Sequence, residues 1–127
     1  MSNIHKFTGI PNQNLFRWEG VIAQPSPNPE VANFVKHVLI GPDNDAPTFI
    51  IRYFQLPVGA GSPLHTHAHE HGVIILHGQV RLQLGDAFFP LSPYDVVFVK
   101  GGDLHQFTNV GDEPLGFLCT IPRSAEI

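Results

Sequence analysis

The sequence predicts an all-β protein, a closed barrel or jelly roll of short strands, and three observations carry that reading. Twelve glycines and twelve prolines in 127 residues interrupt every stretch before a long helix could form. The segments between them are rich in β-branched and aromatic residues. Those segments recur at about ten-residue spacing, which suits a barrel or sandwich rather than βαβ units.

The elements follow in chain order. "RWEGVIA" (17–23) reads as a first strand, and "AQPSPNPEVAN" (23–33), with prolines at alternate positions, as a rigid loop ending in one helical turn at "PEVAN". Residues 1–33 read as an arm that covers a barrel edge or crosses to a partner subunit. Strands are then predicted at "FVKHVLI" (34–40), "TFIIRYFQL" (48–56), "HGVIILHG" (71–78) and "QVRLQLG" (79–85). Three more follow at "DVVFVK" (95–100), "LHQFTNV" (104–110) and "LGFLCTI" (115–121). The breaks "GPDNDAP" (41–47), "PVGAGSP" (57–63), "PLSPYD" (90–95), "KGGD" (100–103) and "GDEP" (111–114) combine Gly or Pro with Asp, Asn or Ser, which is turn chemistry. With no internal repeat and no low-complexity linker, residues 1–127 read as one domain.

Composition narrows the function classes. A chain of this length buries roughly two-thirds of its unfolded surface, enough for a core without staples. The net charge is −4 and no run of lysine or arginine occurs, so no nucleic-acid partner is expected. Cys119 is the sole cysteine, which excludes an intrachain disulfide and a multi-cysteine zinc site and fits a reducing, cytoplasmic compartment. The opening "MSNIHKFTGIPNQNLF" lacks a basic region followed by an apolar one, and no apolar run approaches the ~20 residues of a bilayer span. Neither export nor membrane insertion is expected.

Chemistry concentrates in "HTHAHEHG" (65–72), which places four of the chain's eight histidines at every second position. Residues two apart on a strand share a face and lie roughly 6.6 Å apart, so His65 and His67 can converge on one metal ion at about 2.0–2.1 Å from each imidazole nitrogen. Six residues of straight strand would carry His71 roughly 20 Å from His65, so convergence requires a bend within "AHE" (68–70). That bend leaves the direction of His69 open. A chance or surface cluster is the plain alternative, but buried imidazoles between a glycine-rich turn and the apolar "VIIL" need partners.

These residues resemble the two motifs of the cupin family, over roughly residues 48–122. The first motif runs glycine, five residues, His-x-His, three or four residues, glutamate, six residues, glycine; here it is "GAGSPLHTHAHEHGVIILHG", with Gly59, His65, His67 and Gly78 in register and His71 in the glutamate's place. The second is "YDVVFVKGGDLHQFTN", with Gly102, His105 and Asn109 matching, Tyr94 in place of a glycine and Lys100 in place of a proline. The pattern His-x-His-x-x-Glu-His and the ending "FTNVGDEPLGFLCTIP" are similar to small single-domain bacterial cupins with four histidines, among them a manganese-binding member from a thermophile. The resemblance implies a double-stranded β-helix, the cupin jelly-roll barrel, in which 1–47 form an arm and edge strands and 48–122 the barrel with both motifs. It further implies the metal ligands His65, His67, His71 and His105, with Glu70 as an alternative fourth ligand, and a homodimer. Four neutral histidines would leave the full positive charge of one divalent transition metal per chain, Mn or Fe being favoured and Zn, Ni or Cu compatible with imidazole.

Alternation along "HQFTN" places His105, Phe107 and Asn109 on one face, with Phe107 as an apolar wall beside the metal or as ordinary core and Asn109 bonding to backbone. The resemblance suggests that Cys119 faces the pocket. In "FIIRYFQL" either Arg52 or the pair Tyr53 and Gln55 points inward, and alternation does not choose between them. His77, at a strand end, is expected to be exposed, His69 is a candidate hydrogen-bond donor to a metal ligand or acid–base group, and His5 and His37 receive no role. The leading functional expectation is a metal-dependent oxygenase or dioxygenase acting on a small, partly apolar molecule. The alternatives are a metal-dependent isomerase, lyase or decarboxylase, with Glu70, His69 or Tyr53 moving protons, a non-catalytic small-molecule-binding module, and a closed structural zinc site.

Overall fold

The computed structural model describes residues 2–25 and 34–125, so the turn expected at "PEVAN" lies outside the described residues. Nine strands are present among the described residues: β1 (Ala23–Pro25), β2 (Val35–Ile40), β3 (Phe49–Leu56), β4 (His71–His77), β5 (Val80–Leu84), β6 (Ala87–Leu91), β7 (Val96–Val99), β8 (His105–Asn109) and β9 (Leu115–Pro122). They form a six-stranded antiparallel sheet in the order β1-β2-β3-β9-β4-β7 and a three-stranded sheet in the order β6-β5-β8. Helical structure among the described residues is confined to three 3-10 turns, at Pro11–Gln13, Pro42–Asn44 and Arg123–Ala125. No helix among them is long and apolar enough to cross a membrane. The all-β expectation holds, and the crossed strand order is that of a double-stranded β-helix jelly roll.

Alternation builds the core. In β8 the buried residues are His105, Phe107 and Asn109, as period two requires, and in β4 His71, Val73 and Ile75 follow the same alternation. Phe54, Leu56, Val73, Ile75, Leu82, Phe107 and Phe117 meet between the sheets. Asn109 holds the β8–β9 connection, donating from Nδ2 to the carbonyls of Leu56 (3.1 Å) and Glu113 (2.9 Å) and accepting from the Gly111 amide at 3.0 Å. This is the backbone role the sequence assigns it.

Two strand expectations need correction. Residues 17–23 do not form a strand: Trp18 makes one bridge to Phe7, Gly20 turns with φ +73°, and Ala23 alone joins β1. Conversely, "PLSPYD" (90–95) does not begin as a turn, because Pro90 and Leu91 close the unanticipated strand β6. A proline is tolerated there because β6 is an edge strand. The motif glycines Gly59, Gly78 and Gly102 all have φ between +81° and +88°, which explains their residue type. Tyr94, in place of a glycine, takes φ +76° nonetheless.

Candidate metal centre and its cavity

The histidine segment is not a strand. His65 forms an isolated bridge with His105, the two exchanging backbone bonds of 3.3 and 3.1 Å, and the Gly102 amide donates to the His67 carbonyl at 2.7 Å. The chain then bends at Ala68 and His69, where the sequence requires a bend, before His71 opens β4. Gly101 lies under that bend so closely that a Cβ would meet the Ala68 carbonyl oxygen at 2.3 Å. The "KGG" turn and the bend therefore fit only with glycine between them.

This backbone brings five imidazoles together. Two overlapping trios have ligand atoms within 4.8 Å of one another, His65 with His67 and His105, and His67 with His69 and His71. His67 belongs to both. The Nε2 atoms of His67 and His65 are 2.8 Å apart, and His71 Nε2 is 2.9 Å from His67 Nδ1. The His71 and His105 rings lie 5.1 Å apart, centre to centre.

Backbone acceptors orient the rings. His65 Nδ1 donates to the Pro63 carbonyl at 3.2 Å, and His105 Nδ1 to the Asp103 carbonyl at 2.9 Å. In the neutral state both rings then present a bare Nε2 lone pair. One directed chain satisfies the others: the Cys119 thiol donates to His71 Nδ1 (3.1 Å), His71 Nε2–H to His67 Nδ1, and His67 Nε2–H to His65 Nε2. Every imidazole in that chain is neutral, which agrees with the electrostatics. Burial, followed by the neighbouring histidines, lowers His71 to about 3 and His67 to about 4, and burial also lowers His65 and His69. Neutral, convergent nitrogen donors fit a borderline transition metal, and no carboxylate joins either trio.

The cluster opens into a cavity of about 490 Å³. Phe54, Phe107 and Phe117 form its apolar wall, and Arg52, Cys119 and His69 also line it. Period two on β3 settles the direction left open by the sequence: Arg52 pairs with Cys119 and faces inward, donating from Nη2 to Cys119 Sγ at 3.2 Å. Phe107 and Cys119 are both buried against the cavity. Burial pushes the Cys119 thiol up, against the opposing effect of Arg52. Tyr53 falls on the other face of the sheet, away from the cavity, and Glu70 is exposed beside Ala68 and Gly101 outside it. Tyr53 does not line the cavity, and Glu70 joins neither histidine trio.

The sequence misplaced His77 and overlooked His37. Strict alternation would turn His77 into the core with His71, Val73 and Ile75, but the β4–β9 register shifts between Ile75 and His77 and places it opposite Gly116. His77 is buried rather than exposed: Tyr53 donates its hydroxyl to His77 Nε2 at 2.6 Å, and His77 Nδ1 donates to the Pro114 carbonyl at 2.9 Å. Phe16 stacks on His77 at 4.5 Å and on Tyr53 at 5.4 Å, while Trp18 packs against Tyr53 and His37. The arm thus packs on a sheet face through Phe16 and Trp18, and its β1 adds to the sheet edge beside β2. The available signals were Gly116 inside a strand and the aromatic pair in the arm.

Comparison with known proteins agrees with this architecture. The model of the cupin domain matches residues 52–121. A 1-methylthio-D-xylulose 5-phosphate methylsulfurylase from Rhodospirillum rubrum is 37% identical over 114 residues, covering 87% of this chain and 72% of the relative. The crystal structure of a cupin-2 domain from the same organism is also 37% identical, covers 87% of this chain and 73% of its own, and superposes with a TM-score of 0.74. A cupin 2 conserved barrel domain protein from Rhodopseudomonas palustris, 29% identical, covers 98% of this chain and 83% of its own with a TM-score of 0.79. Since the matched span contains the inner histidines and the strands that carry them, this chain belongs to the cupin family.

Proposed function

We propose that this cupin is a metal-dependent enzyme acting on a small organic molecule held in the cavity beside the histidine cluster. The observation that carries the reading is a set of neutral, mutually facing imidazoles opening onto an apolar cavity of about 490 Å³, within the range of small-molecule sites. His65, His67, His71 and His105 would hold one divalent transition metal, with Mn or Fe favoured on the resemblance. When bound, such an ion supplies Lewis-acid and redox chemistry at the substrate. The chain supplies the remaining functions. Phe54, Phe107 and Phe117 would exclude water, the Pro63 and Asp103 carbonyls fix the tautomers of His65 and His105, and His69, which also lines the cavity, would move a proton where it does not itself hold the metal.

On the reaction, the oxygenase reading rests on the four-histidine resemblance, and it predicts O₂ consumption coupled to substrate loss by the metal-loaded protein. A second reading, turnover without O₂, is favoured by the 37% identical relative that bears the name of a methylsulfurylase. An assay with an enol, thiol and catechol panel in air, run beside 1-methylthio-D-xylulose 5-phosphate under argon, separates them. O₂ uptake supports the first reading and anaerobic consumption of the phosphate supports the second. Binding without turnover in either arm removes the enzyme reading in favour of a binding module. We also propose a homodimer, supported by the exposed Val96 and Phe98 on the edge strand β7; light scattering reporting a monomer would overturn it.

A further inference from the structure

We infer that the cavity is built for an organic anion, with a carboxylate or phosphate on the Arg52 guanidinium and an apolar body against the phenyl rings beside the histidines. The inference takes from the proposed function only that this cavity is the binding site. Arg52 projects inward from β3 and is half-buried, yet among the described residues no carboxylate forms an ion pair with it. One Nη donates to the Cys119 sulfur, a weak acceptor, the guanidinium lies 4.8 Å from the Phe54 ring centre, and the buried Nε has no hydrogen-bond partner among the described residues. A partly buried guanidinium with an idle donor is costly unless an acceptor arrives from outside the protein.

The surroundings fit an anion. Lys36, paired with Phe54 across β2 and β3, also lines the cavity, and among the described residues no aspartate or glutamate does. A divalent ion on neutral histidines would add positive charge. Geometry places the charged end of the ligand near the chemistry: Arg52 touches Cys119, and Cys119 touches His71 at 3.1 Å. An anion on the guanidinium therefore directs its next atoms toward the histidines, while Phe107 and Phe117, stacked with centres 5.0 Å apart, offer an apolar face. Arg52 is thus a specificity-determining residue, selecting for negative charge and fixing which end of the ligand faces the cluster.

The test measures calorimetric affinities for benzoate, phenyl phosphate and the uncharged benzamide, with protein as isolated and after chelator treatment. Benzoate or phenyl phosphate should bind about tenfold or more tightly than benzamide in both preparations, the better of the two identifying the acidic group. Arg52→Gln should abolish that preference while leaving benzamide affinity unchanged, and Arg52→Lys should retain part of it. Equal binding of all three probes by chelator-treated wild type, or an undiminished preference in R52Q, overturns the inference. Because the wild-type comparison decides it even where R52Q does not fold, and because it is made without metal, its outcome is independent of the metal analysis.

Discussion

Histidines gather on both sides of the six-stranded sheet, and the two groups serve different ends. Inside, His65, His67, His71 and His105 face one another across a cavity, with backbone carbonyls holding two of the rings by their outer nitrogens. Outside, His77 spends both nitrogens on Tyr53 and Pro114, and His37, fully buried, lies against Trp18 and Tyr53 with neither nitrogen bonded among the described residues. Desolvation lowers the pKa of His67 and His71 in the inner group and of His37 and His77 in the outer one, so a lowered pKa does not identify a metal site. What distinguishes the inner group is convergence of ring nitrogens on shared space.

Breaking the inner group should have the largest effect. His67 belongs to both trios, so His67→Ala should abolish metal binding and turnover, measured by elemental analysis and assay, whereas Tyr53→Phe on the other face should leave metal content unchanged.

Gly116→Ala should break the outer group. The imidazole of His77 crosses β9 through the space above Gly116, where a Cβ would meet the ring at 2.0 Å. Overpacking there should cost about 3 kcal/mol and lower the thermal midpoint by several degrees, with metal content retained. A smaller loss, about 1–2 kcal/mol in denaturant titration, is expected for Tyr53→Phe, which leaves the buried His77 Nε2 without its donor.

A pH titration sharpens the comparison further. Burial lowers the pKa of His37, aided by Arg17, and burial lowers that of His77 against the opposing Pro114 bond and Glu113 charge. Below about pH 6.5 the unfolded chain takes up protons that the folded chain refuses, so stability should fall as the solution is acidified. His37→Phe should flatten that slope between pH 7 and the lowered native value. An unchanged slope would show that His37 does not contribute to it.

Much of the fold was readable because the strands obey period two and the turns carry Gly, Pro and Asp. Seven strands lie within a residue or so of expectation. The bend at Ala68 and His69 also follows from reach alone, since His71 cannot otherwise approach His65. The failures are local departures from those rules. Pro90 concealed an edge strand that tolerates it, Gly20 ended a β-rich segment, and the register shift after Ile75 rotated His77 to the other face. Which of Arg52 and Tyr53 faces the cavity depends on pairing with β9, a long-range contact that alternation within β3 does not encode.

The central claim is that the inner histidines form a metal centre. Its most direct test is the metal content of untagged protein as isolated, compared with His71→Ala and Glu70→Ala. Near-stoichiometric transition metal, lost with His71 and retained without Glu70, is the predicted result. Wild-type protein without metal, or His71→Ala protein that keeps it, would contradict the account.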